Sequence, residues 1–370
     1  MRKLLVGVAA MALIAVWSMP PRAQQQSAGP VIPIEGLDIV MLLQGKEVQG
    51  KEDIAVVRGR FKYIFSSEET KAAFEKDPAQ YEIGPYCQRM GAPTTGNADL
   101  WAVHKGHVYL FGSDGCVKAF KESPDEFIEP AAAEWKPTAA QVARGRELLE
   151  KAVAAMGGAA TLDGMTTYRE KRSTPAKRRD GTDYDASTEI IRVFPDGLRQ
   201  VQVRHFGTIV TAFHGEQGFV EFQGGGRSNV RPAPPEARTQ MDAELWSDPV
   251  FLLRERKAAS FQAAAGKAEG GLEIVDVKVG TERFAVAVES ASGRVVSIAQ
   301  VRRGPSGKFG NVAVKFSDYR AAGALQVPYR AEVSFNGQPA PDRSYVVAEV
   351  EVNKPVEPSL FAMPKGAPQN

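Results

Sequence analysis

The C-terminal half of the chain alternates between apolar and polar residues. The clearest case is VPYRAEVSF, residues 327–335, in which the apolar side chains Val327, Tyr329, Ala331 and Val333 share one side. A period of two is typical of a half-buried strand. The same pattern predicts strands at 190–194, 200–204, 208–213, 272–279, 284–288, 295–302, 312–319 and 345–352. Short turns join neighbours in this series, which favours an antiparallel sheet.

Helical spacing precedes and interrupts this strand pattern. Thr138 followed by Gln141 is a capping-box signal, and Leu149, Val153 and Met156 then fall on one helix face. A second helix is predicted at 235–245, and a third begins with an N-cap at residue 248 and a proline at 249. We interpret this later pair as a lid over a strongly curved sheet of about nine to eleven strands. The predicted lid residues are Met241, Leu245, Phe251 and Leu252.

Two stretches near the N-terminus have matching patterns at an offset of 46 residues: FSSEETKAAFEKDPAQY at 65–81 and FGSDGCVKAFKESPDEF at 111–127. Each follows a β-rich hairpin and reads as a helix, with Phe74 and Phe120 on the inner faces. Ser66 with Glu69 suggests a capping box in the first copy, and Ser113 caps the second. One copy is too small to hold a core alone, so we expect the two to pack face to face.

This repeat resembles the YHS domain family, whose mark is an aromatic strand, a serine-containing turn and a helix closed by Asp-Pro-x-x-Tyr. The resemblance covers about 34–131, including the lead-in GLDIVMLLQGKEVQGKEDIAV at 36–56. It implies a small structural or metal-responsive module. Metal-binding members of that family have cysteines around the strand–helix turn, where this chain has only Cys116.

The second half resembles the periplasmic carriers that sort lipoproteins to the outer membrane, the LolA- and LolB-like half-barrel superfamily. The residues that carry the likeness are ELLEKAVAAMGGAATLDGMTTY at 147–168, FSDYRAAGALQVPYRAEVSFNG at 316–337 and VAEVEVNKPVEPSLFAMP at 347–364. The resemblance implies an apolar pocket on the concave face for a lipid or lipoprotein acyl chain. The same alternation is also typical of a closed core, so an open pocket and a filled one both stay open.

The first residues resemble an export signal. Arg2 and Lys3 precede an apolar stretch at 4–17, and cleavage is expected after Ala23. No cysteine directly follows this apolar stretch, and no later apolar run is long enough to span a bilayer. These features predict a periplasmic or secreted protein, with brief membrane contact left open. The formal net charge of +2 argues against a nucleic-acid-binding protein.

The two cysteines, Cys87 and Cys116, allow two interpretations. In an exported chain they predict a disulfide. Alternatively, His104 and His107 face each other across a two-residue turn, and together with both cysteines they would suit zinc or copper. No phosphate loop, nucleophile elbow or His-Glu-x-x-His motif is present in the sequence.

These patterns predict an α+β protein with a signal peptide at 1–23, a duplicated ββα domain at 34–133 and a curved antiparallel half-barrel at 138–365. We expect a non-catalytic binding protein that holds an apolar ligand such as a lipid or lipoprotein acyl chain. The alternative is a metal-handling protein that acts through the first domain.

Overall fold

The computed structural model describes residues 30–83, 86–87, 92–93, 98–233, 235–304 and 306–364. The predicted signal peptide at 1–23 lies outside the described residues. The described residues fall into two compact units, the first within Met1–Ala131 and Arg302–Gly310, the second within Ala132–Val301 and Asn311–Asn370. The short stretch Arg302–Gly310 groups with the first unit, although the strands on either side of it belong to the large sheet of the second unit.

The first unit consists of short strands and helices. In chain order they are a 3-10 turn at Ile34–Gly36, α1 Ile39–Leu43, β1 Lys51–Arg58, β2 Phe61–Phe65, α2 Glu68–Lys76, α3 Pro78–Tyr81, β3 Tyr86–Cys87, β4 Ala92–Pro93, β5 Trp101–His104, β6 His107–Leu110, α4 Asp114–Glu122 and α5 Pro124–Phe127. The pairs β1–β2, β3–β4 and β5–β6 each form a two-stranded antiparallel sheet.

The 46-residue offset of the sequence is repeated in the elements. Helix α4 begins and ends 46 residues after α2, and α5 follows α3 by the same distance. Phe74 and Phe120 are both fully buried, with ring centroids 5.3 Å from Phe65 and 4.9 Å from Phe111 respectively. The buried apolar side chains form two clusters, one around each phenylalanine, and the cluster around Phe74 also includes Val108 and Leu110 of the second copy.

The helix cap of the first copy differs from the prediction. The N-cap of α2 is Ser67, which exchanges hydrogen bonds with Thr70, and not Ser66 with Glu69. Ser66 is already engaged, since its backbone N–H and its hydroxyl both donate to the carboxylate of the buried Asp38, each at 2.7 Å. In the second copy Ser113 caps α4 as predicted.

The second unit is one large antiparallel sheet with four helices among its described residues. Its elements are α6 Ala139–Ala155, α7 Ala159–Asp163, β7 Thr167–Lys177, β8 Asp183–Val193, β9 Gly197–Arg204, β10 Gly207–His214, β11 Gln217–Gly224, β12 Arg227–Pro232, α8 Pro235–Leu245, α9 Pro249–Arg254, β13 Phe261–Ala265, β14 Leu272–Val279, β15 Glu282–Glu289, β16 Val295–Arg303, β17 Phe309–Ala322, β18 Leu325–Phe335, β19 Gln338–Pro339, β20 Tyr345–Val352 and a 3-10 turn at Pro358–Phe361. The strand order is β12-β11-β10-β9-β8-β7-β20-β18-β17-β16-β15-β14-β13, with β19 paired to β18.

The sheet is strongly curved. Phe194 follows β8, and Phe261 begins β13, which is eight strand positions away in the sheet order. In a flat sheet that separation would be about 38 Å. Yet three ring-to-ring steps of 6.4, 5.0 and 6.1 Å lead from Phe194 through Phe251 and Trp246 to Phe261. The sheet therefore bends around α9, which lies on its concave side.

Helices α6 and α9 fill most of this concave side. Their buried residues join those of β14–β18 and Tyr168 in the main apolar cluster. Helix α6 begins with the predicted capping box of Thr138 and Gln141. It approaches β13 so closely that a Cβ at Gly145 would lie 2.6 Å from the backbone of Ala264. A glycine is therefore required at this contact.

The sheet has more strands than the pattern predicted. Strands β7, β11, β12, β13 and the two-residue β19 were missed, and the 14 strands observed exceed the predicted nine to eleven. Strand β7 carries Glu170 and Arg172 on its inward side, so its buried positions look polar in the sequence. Strand β12, RSNVRP, lies at the edge of the sheet and is mostly exposed, and β13 consists largely of alanine.

Candidate functional site

Helix α9 is fixed to the sheet by both its cap and its side chains. Asp248 is the predicted N-cap, and its Oδ1 accepts hydrogen bonds from the backbone N–H groups of Val250 at 2.9 Å and Phe251 at 3.1 Å. Leu252 and Leu253 are completely buried in the main apolar cluster. Burial of each such leucine contributes about 1.5–3 kcal/mol, so α9 is a permanent part of the core.

Helix α8 is held to the sheet by fewer buried side chains than α9. Of its described side chains only Met241 and Leu245 are buried, and they pack on Ile190, Leu198 and Phe213 in a small cluster separate from the main one. A further attachment comes from Arg238, which ion-pairs with Asp242 and donates to the carbonyl of Gly215 at 2.7 Å.

The four predicted lid residues thus fall into two groups. Met241 and Leu245 cover the sheet from α8, with Phe251 packed beside them, whereas Leu252 belongs to the main core. The geometry restricts the lid hypothesis to α8.

A cluster of charged side chains lies buried next to this small apolar cluster. Oδ2 of Asp248 accepts hydrogen bonds from Arg172 at 3.1 Å and from Arg192 at 3.3 Å. Arg172 also pairs with Glu170, and Tyr168 donates its hydroxyl to the same carboxylate at 2.6 Å. Two arginines and two carboxylates therefore balance in charge away from water.

Aromatic rings enclose the cluster. The guanidinium carbon of Arg172 lies 4.0 Å from the ring centroid of Tyr345, and that of Arg192 lies 5.3 Å from the centroids of both Tyr168 and Phe251. The negative faces of these rings stabilise the cations and exclude water. Such a dry setting strengthens each electrostatic contact.

The titration behaviour of the cluster reflects this balance. Burial acts to raise the pKa of Asp248, but the nearby Arg192 and Arg172 and the α9 backbone N–H groups outweigh it and hold that pKa below its usual range. Burial, with the negative charge of Glu170, raises the pKa of Tyr168 well above its ordinary value. Asp248 is therefore ionised and Tyr168 protonated at neutral pH.

A cavity of about 20 Å³ lies between α8 and the sheet. Its lining residues are Arg172, Ile190, Arg192, Leu198, Gln200, Met241, Glu244 and Leu245. This volume accommodates about one water molecule. An acyl chain does not fit in it, so at this position the open pocket allowed by the sequence is closed by the side chains of α8.

Arg192 is the least satisfied member of the cavity wall. It is 2% exposed, and its Nε and Nη1 have no hydrogen-bond partner among the described residues. Sequence reasoning missed this residue together with Glu170 and Arg172. Their signal is a charge at alternate positions of a strand, which is ordinarily the mark of a solvent-facing side.

The predicted cysteine and histidine site is only partly assembled. Cys87 and Cys116 are both buried in the apolar cluster around Phe120, where the Gly112 N–H donates to the Cys87 sulfur at 3.4 Å. His104 and His107 pair across the β5–β6 turn as predicted.

The two histidines have other surroundings. Nε2 of His104 lies 2.7 Å from the carboxylate of Asp125, and His107 is exposed. No group of three potential His, Cys, Asp or Glu ligands occurs among the described residues. The disulfide and the metal site both stay predictions.

Comparisons with known proteins add little. No protein-family model matches the chain, and no curated protein is similar to it in sequence. A LolA superfamily protein from Nitrosomonas europaea is 8% identical, covering 59% of this chain and 97% of its own, with a TM-score of 0.38. An outer membrane lipoprotein-sorting protein domain from Vibrio parahaemolyticus is 12% identical, covering 60% and 97%, with a TM-score of 0.33. Similarity at this level carries no functional argument, and the YHS resemblance gains no support.

The described helices are all too short or too polar to cross a bilayer. The elements of the two units give an α+β architecture, with a large curved antiparallel sheet and few helices.

Proposed function

We propose that this chain is an exported, non-catalytic binding protein whose curved sheet takes an apolar chain, such as that of a lipid or lipoprotein, beneath α8. The observation that carries this proposal is the separation of the small cluster under α8 from the main core. Export is supported by the signal-like pattern of residues 1–23.

Displacement of α8 would uncover an apolar surface without disturbing the main core. Ile190, Leu198 and Phe213 lie on adjacent strands and share one face of the sheet. Loss of contact by Met241 and Leu245 would cost about 3–6 kcal/mol in total. An acyl chain that covers the same surface restores that burial, at about 0.8 kcal/mol per CH₂ group.

The connection between α8 and α9 would act as the hinge for this movement. Helix α8 ends at Leu245, and α9 is anchored by the cap at Asp248, so only a short connection separates the light helix from the fixed one. Trp246 lies in this connection, with its ring centroid 5.0 Å from that of Phe251 and 6.1 Å from that of Phe261.

The first unit would serve as a structural module. Its two aromatic clusters are well packed, and the metal-handling alternative has no observation in its favour among the described residues.

The experiment is native mass spectrometry of the full-length protein, purified from its host without detergent and without a histidine tag. We expect a mass increment that disappears on denaturation and is identified as a lipid by extraction with organic solvent. The variant Met241→Trp, which fills the space over Ile190, should lose the increment, whereas Val203→Trp at an exposed position should keep it. Protein that carries no lipid and does not take up dodecanol when this is added would refute the proposal.

A further inference from the structure

The hydrogen-bond donors of Arg192 bear on the chemistry of the head group of the proposed ligand. Arg192 lies on β8 two residues after Ile190, so both side chains are on the concave face that α8 covers. A guanidinium stays charged in proteins and carries five N–H donors. Here only Nη2 is used, on Asp248, while Nε and Nη1 find no acceptor among the described residues.

Buried donors without acceptors are costly. A site that keeps such a cation beside a cavity is suited to an acceptor from outside the chain. Anionic oxygens make the strongest hydrogen bonds with a guanidinium, because both partners are charged. The cavity has room for about one water molecule, so a head group would enter it only when α8, which forms one of its walls, is displaced.

We propose that this cavity is a subsite for the anionic head, a carboxylate or a phosphate, of the long-chain ligand. The proposal rests on the proposed function, because the tail of the ligand would take the place of Met241 and Leu245 over Ile190 and Leu198. Arg192 donates to the head group, and Arg172 and Gln200 line the same cavity.

The carboxylates near the cavity do not accept hydrogen bonds from the unused donors of Arg192. Asp248 is held by both arginines and by the amides at the start of α9, and Glu170 is held by Arg172 and Tyr168. Glu244, the remaining acid of the cavity wall, is exposed to solvent and belongs to α8, so it would move away with that helix. The free donors of Arg192 are therefore left for the ligand.

The test compares ligands that differ only in their heads. Dodecanoate, dodecyl phosphate and dodecanol compete with the neutral probe N-phenyl-1-naphthylamine for the full-length protein. We expect at least one anionic ligand to bind about tenfold more tightly than dodecanol, as one charged hydrogen bond would give. The better of the two anions identifies the head group as carboxylate or phosphate.

Substitutions at Arg192 and Arg199 test which residue causes the preference for anionic ligands over dodecanol. Arg192→Gln should bind dodecanoate, dodecyl phosphate and dodecanol alike. Arg199→Gln is the matched control, since Arg199 is on the neighbouring strand, is also partly buried with an unpartnered Nε, and lies on the opposite face from Leu198 and Gln200. It should keep the preference. If Arg192→Gln does not fold by circular dichroism, Arg192→Lys, which keeps the charge but loses the planar donors, should reduce the preference several-fold.

The outcomes separate the two proposals. If no ligand binds the wild-type protein, the proposed function fails and this inference with it. If all three bind the wild type equally, the acyl-chain function stands and the anionic subsite is refuted. An anionic preference that survives in Arg192→Gln, or in Arg192→Lys at full strength, would also refute it.

Discussion

The buried charge of Asp248 can be separated from its role as a helix cap. The substitution Asp248→Asn keeps a side chain that caps helices well, so the hydrogen bonds to the amides of Val250 and Phe251 persist. It removes the negative charge that Arg172 and Arg192 share. Both arginines then lie in the interior with Glu170 as the remaining carboxylate partner of the cluster.

Breaking a buried ion pair by removing one partner typically costs about 3–5 kcal/mol. We expect Asp248→Asn to lower the free energy of unfolding by this amount. That is a large part of the total free energy of unfolding of a typical domain, which is about 5–15 kcal/mol. Asp248→Ala should cost about 0.5–2 kcal/mol more, because it also removes the cap. The difference between the two variants measures the cap, and the loss in Asp248→Asn measures the charge.

The assay is urea unfolding of the full-length protein, followed by far-UV circular dichroism and by tryptophan fluorescence. Asp318→Asn is the control, since it makes the same chemical change in an exposed pair with Arg320. Its unfolding should match that of the wild type. If Asp248→Asn unfolds like Asp318→Asn, the buried cluster does not stabilise the second unit and the reasoning is wrong.

Three further predictions concern the pH dependence of Asp248, the contact of α6 with β13 and the two aromatic clusters of the first unit. Because the pKa of Asp248 is depressed in the folded protein, its ionised carboxylate stabilises the fold above the unfolded pKa of about 3.9, and this stabilisation is lost as pH falls further. The difference in unfolding free energy between wild type and Asp248→Asn should therefore stay constant from pH 7 to about 5 and shrink below about 4. A difference that already vanishes at pH 6 would contradict this prediction. Gly145→Ala should destabilise the protein because the new Cβ meets the Ala264 backbone, whereas Gly115→Ala, in a helix with open space, should be neutral or stabilising by up to about 1 kcal/mol; equal urea midpoints would show that α6 is not in close contact with β13. Phe74→Ala and Phe120→Ala should each cost about 3–5 kcal/mol, since both rings are fully buried; a loss below 1 kcal/mol in either would show that its repeat has no packed core.

Sequence reasoning worked best where local signals were strong. The cap and first position at 248 and 249, the capping box of Thr138 and Gln141, and the repeat at a 46-residue offset all depend on neighbours in the chain, and the structure shows each of them. The alternating strand pattern likewise located most of the sheet, because its apolar side faces the main core.

It failed where distant residues satisfy each other. Strand β7 looks polar because Glu170 and Arg172 pair with each other, with Tyr168 and with Asp248, and a sequence pattern does not reveal such pairing. The cavity at Arg192 was missed for the same reason. Ser66 was assigned as a cap because its hydrogen bond to Asp38, 28 residues earlier in the chain, cannot be recognised from the neighbouring sequence.

In the proposed function an apolar ligand replaces α8 while α9 stays in place. The most direct measurement is the alkylation rate of a thiol introduced at Leu245→Cys, read by peptide mass spectrometry with and without saturating dodecanol. Leu252→Cys is the matched control in the main core. We predict that the thiol at 245 is protected alone and reacts at least about tenfold faster with ligand, while the thiol at 252 stays protected in both. Equal protection at 245 in the presence of bound dodecanol would contradict the account.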